Sequence, residues 1–304
     1  MTNFLQNLID GLSLGSIYAL VALGIGLLFG ILRLINFAHG DFITVGAYAL
    51  IVPSADAAAQ VFLGKLPWIA ILPLVCLIVA IVALVADGLF FRPLRKASAP
   101  TLMIASFAVS YILQNGILML YGSRPKAIDL GGGLNMQIQL GDLRVPLLQL
   151  VTLGITIILM TALGLFLRRT RYGIQMRAAA EDFRMAQYLG VRGNFVIGLA
   201  FVISGILAAV VSLLFTMQSG MLSHTMGVPL ALFAFVAVVV GGMGSLTGAV
   251  VGGFAIGMIV TMLQAYLPAD LRPFRDAFAF GIVIAVLLWR PAGLIPSKTS
   301  FERI

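Results

Sequence analysis

Three residues that could bind an ion, relay a proton or meet a polar substrate lie within six positions of one another. They are Asn36, His39 and Asp41, in the stretch "RLINFAHGDFITVGAY" from Arg33 to Tyr48. Ionisable groups beside long apolar runs are expensive to keep without a partner, which makes such a cluster a candidate for function. A local account is simpler: Asp41 caps the next helix, Gly40 makes the turn, and His39 and Asn36 bond to loop backbone. One His and one Asp do not make a metal ligand set. The only other histidine, His224, sits in a loop without an acidic neighbour.

A second stretch, "VVVGGMGSLTGAVVGG" from Val238 to Gly253, sets glycines inside an apolar run. Gly244, Gly248 and Gly252 are spaced by four, so on a helix they form a smooth stripe on which a neighbouring backbone can pack closely. Gly241, Gly242, Met243, Gly244 and Ser245 are too glycine-dense for a helix interior and predict a break. Helix ends freed at membrane depth survive where they are buried in protein or line a cavity, and in transporters they often face the substrate. This break therefore serves either packing and turn geometry alone or the substrate route, with Gly241, Gly242, Gly244 and Ser245 along it.

The third stretch is "RRTRYGIQMRAAAEDFRMAQYLGV", Arg168 to Val191. From Ile174 to Leu189 it holds good helix formers and no proline, and Gly190 stands where a helix stops. One helix over about 172–190 is expected, lying on the membrane surface. Arg168, Arg169 and Arg171 suit topology anchors or lipid headgroup contacts. Glu181 and Asp182, at the expected helix centre, are harder to assign to lipid and point to a protein partner.

The elements that carry these stretches follow from composition. The 304-residue chain is 61% hydrophobic and 10% charged, against about 25% charged for a soluble domain. This predicts an all-α, polytopic integral membrane helix bundle, a single transmembrane domain over 1–304. Spans are expected at 8–32, 41–63, 66–87, 99–122, 146–167, 194–216 and 273–290. A long region over 229–267 splits at its glycines, giving eight or nine membrane segments in all. The net charge of +8 comes from Lys and Arg scattered in short loops, with no basic face for nucleic acid. Placing Arg33, the 88–98 loop, the 168–192 loop and the tail from Arg290 on one side gathers thirteen of the nineteen Lys and Arg there. By the positive-inside rule that side is cytoplasmic, which puts the C-terminus inside and the N-terminus outside. Trp68, Tyr121, Tyr266 and Trp289 fall near span ends, where amphipathic rings favour the headgroup level. The single cysteine, Cys76, lies in an apolar run, and the N-terminus lacks the features of a cleaved signal peptide.

Nearly end to end, the chain resembles the permease subunits of branched-chain amino acid ABC importers, the LivH-like branch of the LivH/LivM family. The resemblance is most specific in "GLSLGSIYALVALGIGLLFGILRLINFAHGDF" (Gly11 to Phe42), "RAAAEDFRMAQYLGV" (Arg177 to Val191) and "VVGGMGSLTGAVVGG" (Val239 to Gly253). It implies a cytoplasmic coupling helix that fits a groove of an ATPase subunit. Ala180, Glu181 and Gly190 match its pattern, and Arg177 and Asp182 stand beside them. It further implies a second, LivM-like permease, two ATP-binding subunits, a periplasmic or extracellular substrate-binding protein and a bacterial inner-membrane location. No glycine-rich run ends in Gly-Lys-Ser/Thr, so this chain is expected to bind no cofactor and leave ATP to its partners. Within the family urea, short amides and other small carboxylates are alternative cargoes. A stand-alone channel or secondary transporter would need ionisable groups inside the spans, and these are nearly lacking. A purely structural membrane subunit is the third class of function.

Overall fold

The computed structural model describes residues 2–33, 35–54, 56, 58–63, 66–95, 97–130, 136–140 and 143–295. Apolar runs of span length become helices because in lipid each backbone group must find its partner within its own segment. Among the described residues six helices are long and apolar enough to cross a membrane. They are α1 (Thr2–Leu32), α3 (Trp68–Ala86, continued by a π-helical turn at Asp87–Phe91), α4 (Ala99–Tyr121), α5 (Leu147–Arg169), α8 (Gly193–Ser219) and α10 (Leu246–Tyr266). Two further apolar helices, α9 (Gly227–Gly241) and α11 (Arg275–Trp289), have 15 residues each. The expected division of 229–267 is present, with α9 and α10 separated at 242–245.

Two expectations are corrected. The span expected at 41–63 is a ten-residue helix, α2 (His39–Tyr48), followed by a turn and extended chain. Beyond Tyr48 the chain folds back on itself. Val52 N donates to Gln60 O (2.9 Å) and Phe62 N to Leu50 O (3.1 Å), around a bridge between Ile51 and Val61. The β-branched Ile51 and Val52 just before Pro53 favour such an extended pairing over another helical turn. The surface helix expected over 172–190 is two helices, α6 (Arg171–Glu181) and α7 (Phe183–Tyr188). Asp182 divides them: its backbone is extended at φ −141°, and its carboxylate accepts from Arg184 N (2.9 Å) and Met185 N (3.0 Å). A short acidic side chain that can satisfy the first N–H groups of a new helix competes with continuing the old one.

The chain forms two compact units. The first comprises residues 27–130 and 162–231. In it α8 packs along α3 and α2, with Gly205 set against the backbone of α3 at Ala80 and Val79. α2 is buried along nine of its ten residues. Gly46 lets it approach Ser212 of α8, and Gly40 meets Gly227 at the start of α9, backbone on backbone. Two short strands, β1 (Lys126–Ala127) and β4 (Met221–Leu222), pair antiparallel. Lys126 is 1% exposed, and its ammonium donates to Ser54 O (2.6 Å) and Asp56 O (2.9 Å), which satisfies a buried charge. Where α3 ends, Asp87 accepts two bonds from Arg95 Nη2 (2.6 Å each), and Arg95 Nη1 bonds Asn194 at the start of α8. Breaking a buried pair leaves an uncompensated charge that costs about 3–5 kcal/mol. Arg95→Ala should therefore lower the detergent melting temperature by several degrees. Replacing both partners, Asp87→Leu with Arg95→Met, should cost less than Arg95→Ala alone.

The second unit comprises residues 1–26, 131–161 and 232–304. Its centre is α10, which carries glycines on two faces. A Cβ at Gly248 or Gly252 would run into the backbone of α9 at Gly241 or Ala237, and one at Gly253 or Gly257 into the backbone of α1 at Ala19 or Gly15. With no lipid-water contrast to drive helices together, such close backbone approach is the main source of association. A hairpin of β2 (Gln137–Leu140) and β3 (Leu143–Pro146) leads into α5, where Gln149 Nε2 donates to Asp10 Oδ1 of α1 (2.8 Å).

Candidate functional site

Asn36, His39 and Asp41 sit where the chain passes from α1 to α2, and the structure buries all three, with exposures of 0–1%. Four residues before His39 the chain is not helical, and its backbone is tied to α4: Phe37 N donates to Ser106 Oγ (3.3 Å), which reaches back towards Ile35 O (3.5 Å). Asn36 Oδ1 accepts from Ala38 N (3.1 Å), and its amide nitrogen has no partner. His39 faces α8, where Nδ1 shares a hydrogen bond with Ser204 Oγ (3.0 Å) and Nε2 has no partner. Asp41 faces α4. Ser110 and Gln114 stand beside its carboxylate without completing a hydrogen bond, so neither oxygen is satisfied.

The local account of these residues is thus met only in part. Asn36 does bond loop backbone, but α2 has no side-chain cap, so Asp41 does not cap it. An unpaired buried polar group costs about 1–3 kcal/mol, more when charged, and calls for an explanation. Here such groups occur on three residues of one segment. Their neighbours escaped the sequence reading. Ser106, Ser110 and Gln114 are spaced by four, a polar line along a mostly apolar helix, with Ser110 at the midpoint of α4. That spacing is legible in the sequence once a partner segment is known.

In the other unit, the glycine-rich break is closed by the chain itself. Gly242 and Gly244 take positive φ values of 114° and 88°, which glycine adopts without a Cβ penalty. The carbonyls that the end of α9 frees at Val240 and Gly241 accept from Leu294 N (2.8 Å) and Ile295 N (2.9 Å). Ser245 caps α10 by accepting from Gly248 N (3.0 Å). This geometry favours packing and turn formation for Gly241, Gly242 and Ser245. Gly248 and Gly252 lie on the face against α9, whereas Gly244 stands before α10 begins and is not part of that helical stripe.

Of the third set, Arg177, Ala180 and Glu181 lie on α6, Asp182 stands between α6 and α7, and Gly190 lies in the turn after α7. Thr170 caps α6 by accepting from Gly173 N (3.0 Å), and Gly173 fits against the backbone of α5 at Phe166 and Leu167. Gly190 has φ +88° directly after α7, as a helix stop requires. Glu181 is exposed, and so are Met185 and Tyr188 on α7 and Leu189 just after it, the last two at 84% each.

A chain of 34% identity over 301 residues is the high-affinity branched-chain amino acid transport system permease protein BraD of Pseudomonas aeruginosa, the alignment covering 96% of each. The permease protein LivH of Escherichia coli K12, of the same kind of transport system, is 34% identical over 96% of this chain and 95% of its own. A probable branched-chain amino acid transport permease protein LivH of Methanocaldococcus jannaschii is 29% identical over 92% of this chain. No solved structure matches the chain. A family model described as "Branched-chain amino acid transport system / permease component" matches residues 7–287, from α1 into α11, and the chain belongs to that family.

Proposed function

We propose that this chain is the permease subunit of an ATP-driven importer and forms the route by which branched-chain, hydrophobic amino acids cross the bacterial inner membrane. The observation that carries this reading is the end-to-end likeness to permeases of high-affinity branched-chain amino acid transport systems. In this reading a second permease pairs with the chain, two separate subunits bind and hydrolyse ATP, and a binding protein outside delivers the substrate. The C-terminus and the α6–α7 pair face the cytoplasm, and the N-terminus faces outward.

Transport then works as differential binding between two states. ATP closing the partner subunits moves α6 and α7, and that bias shifts the permease between inward-open and outward-open arrangements. Broken helices at mid-depth are the usual place for a transporter to meet polar parts of its cargo. α2 and the chain before it supply such a place, so Asn36 and Asp41 are assigned to the polar ends of the amino acid, and His39 to holding α2 on α8. The carbonyls of Val240 and Gly241 are already paired with the chain near Ile295, so the glycine break is assigned to packing and turn formation.

The test is Glu181→Arg. Orientation depends mainly on Lys and Arg, so the variant should reach the membrane in normal amount. A reversed charge at the contact costs several kcal/mol. The variant should therefore lose co-purification with the ATP-binding subunits, or lose substrate-stimulated ATP hydrolysis, and fail in uptake. If α6 and α7 were only lipid anchors, an added arginine would be neutral or favourable by about 1 kcal/mol. Full uptake at normal expression would rule out docking through Glu181 and move the contact to the 88–98 loop around Arg92, Arg95 and Lys96, the last outside the described residues.

A further inference from the structure

We propose that Arg33 is a positioning residue that carries movement of α6 and α7 into the segment leading to α2, a role that rests on the importer reading above. Arg33 directly follows α1, its N–H donating to Phe29 O (2.9 Å). Among the described residues it is the one non-glycine with a positive φ, at 55°. A long side chain in the left-handed region is strained, and it stays there only when its surroundings hold it. What holds it is 147 residues away: Arg33 Nη2 donates to Ala180 O (2.9 Å).

The break at Asp182 explains why that carbonyl is available. In an unbroken helix Ala180 O would accept from Arg184 N. Here Arg184 N is taken by the Asp182 carboxylate, so the carbonyl is left at the end of α6. The last turn of a helix carries partial negative charge and favours a cation, and a guanidinium meets it without needing a carboxylate. One acidic side chain thus starts α7 and exposes the acceptor that seats Arg33.

The other side of Arg33 leads straight to the candidate site. Asn36 is three residues on and α2 begins at His39. α2 is confined by Gly40 against Gly227 and by Gly46 against Ser212, so it moves as a body or not at all. A displacement of α6 therefore reaches Asn36 and Asp41 through one hydrogen bond and one strained residue. If the contact is released, Arg33 is free to leave the left-handed region and change the direction in which the chain enters α2. This is a hinge held from outside by the element that partner subunits would move, and coupling of that kind needs an element with two arrangements.

The test uses the full complex in vesicles, with binding protein and ATP, and measures substrate moved and ATP hydrolysed in the same sample. Arg33→Ala should keep co-purification and substrate-stimulated ATP hydrolysis, while substrate moved per ATP falls about fivefold or more, the usual scale of a lost coupling. Arg33→Lys, which keeps a donor and the charge, should recover part of the ratio. Arg33→Gly, which accepts the positive φ but offers no donor, should behave like Arg33→Ala. An unchanged ratio in Arg33→Ala, or recovery in Arg33→Gly, would overturn the proposal. If Arg33→Ala does not accumulate, Arg33→Met, which keeps the length of the side chain but has no donor, takes its place, and failure of both to accumulate would make Arg33 a folding residue and end the proposal. A wild-type complex without ATP-dependent uptake would instead refute the importer reading itself.

Discussion

Gly257→Ala is expected to lower the amount of folded protein sharply, although it adds only one methyl group. The new Cβ would fall on the backbone of Gly15 in α1, where no flexible side chain can yield. Overpacking costs about 1–3 kcal/mol where side chains can adjust, and more where they cannot. Gly252→Leu should act likewise against α9 at Ala237, and Gly248→Leu at Gly241. The comparison is Gly154→Ala in α5, where an added Cβ meets nothing within 4 Å. That change should be neutral or stabilising, since alanine exceeds glycine in helix propensity by about 1 kcal/mol. Size-exclusion profiles of fluorescent fusions would show the difference. Equal profiles for Gly257→Ala and Gly154→Ala would mean that α1 and α10 do not pack through these glycines.

Asp41→Ala is expected to split stability from transport. Removing a buried carboxylate that has no hydrogen bond takes away a penalty of about 1–3 kcal/mol, so the melting temperature should rise or hold. If Asp41 meets the polar end of the substrate, uptake should fall at least tenfold, on the scale of about 1.4 kcal/mol or more of lost contact. Residues kept for function at the expense of stability behave this way. A lower melting temperature with unimpaired uptake would make Asp41 a structural residue of the α2–α4 contact, and the local account of this stretch would stand.

These expectations rest on features that the sequence discloses unevenly. The long helices are legible because lipid leaves the backbone few options, so the apolar runs around α3, α4, α5, α8 and α10 convert directly into spans. The break at 242–245 is legible for a related reason: a stretch dense in glycine is poor helix interior, and Gly242 and Gly244 do take positive φ. α2 is not legible as a half-helix, because a segment buried on all sides has no amphipathic period and its apolar run continues past Tyr48. Pro53 was the signal, together with the polar residues Ser54, Asp56 and Gln60 after it. The two faces of α10 illustrate a different limit. The spacing of Gly248 and Gly252 marks one close approach, whereas Gly253 and Gly257 have meaning only once Ala19 and Gly15 are known to lie opposite. At Asp182 propensity favours a continuous helix, and a capping side chain overrides it. The same override produces the acceptor for Arg33, whose positive charge reads in the sequence only as a topology anchor.

We propose that this chain moves amino acids only as part of an ATP-driven assembly. The direct measurement is uptake of labelled leucine into vesicles holding the chain with its partner permease and ATP-binding subunits, with the binding protein outside and ATP supplied to the ATP-binding side. The account predicts accumulation that requires every component, and no ATP hydrolysis by the purified chain alone. Uptake by the chain alone down an ion gradient, or ATP turnover in that purified chain free of contaminating ATPase, would contradict it.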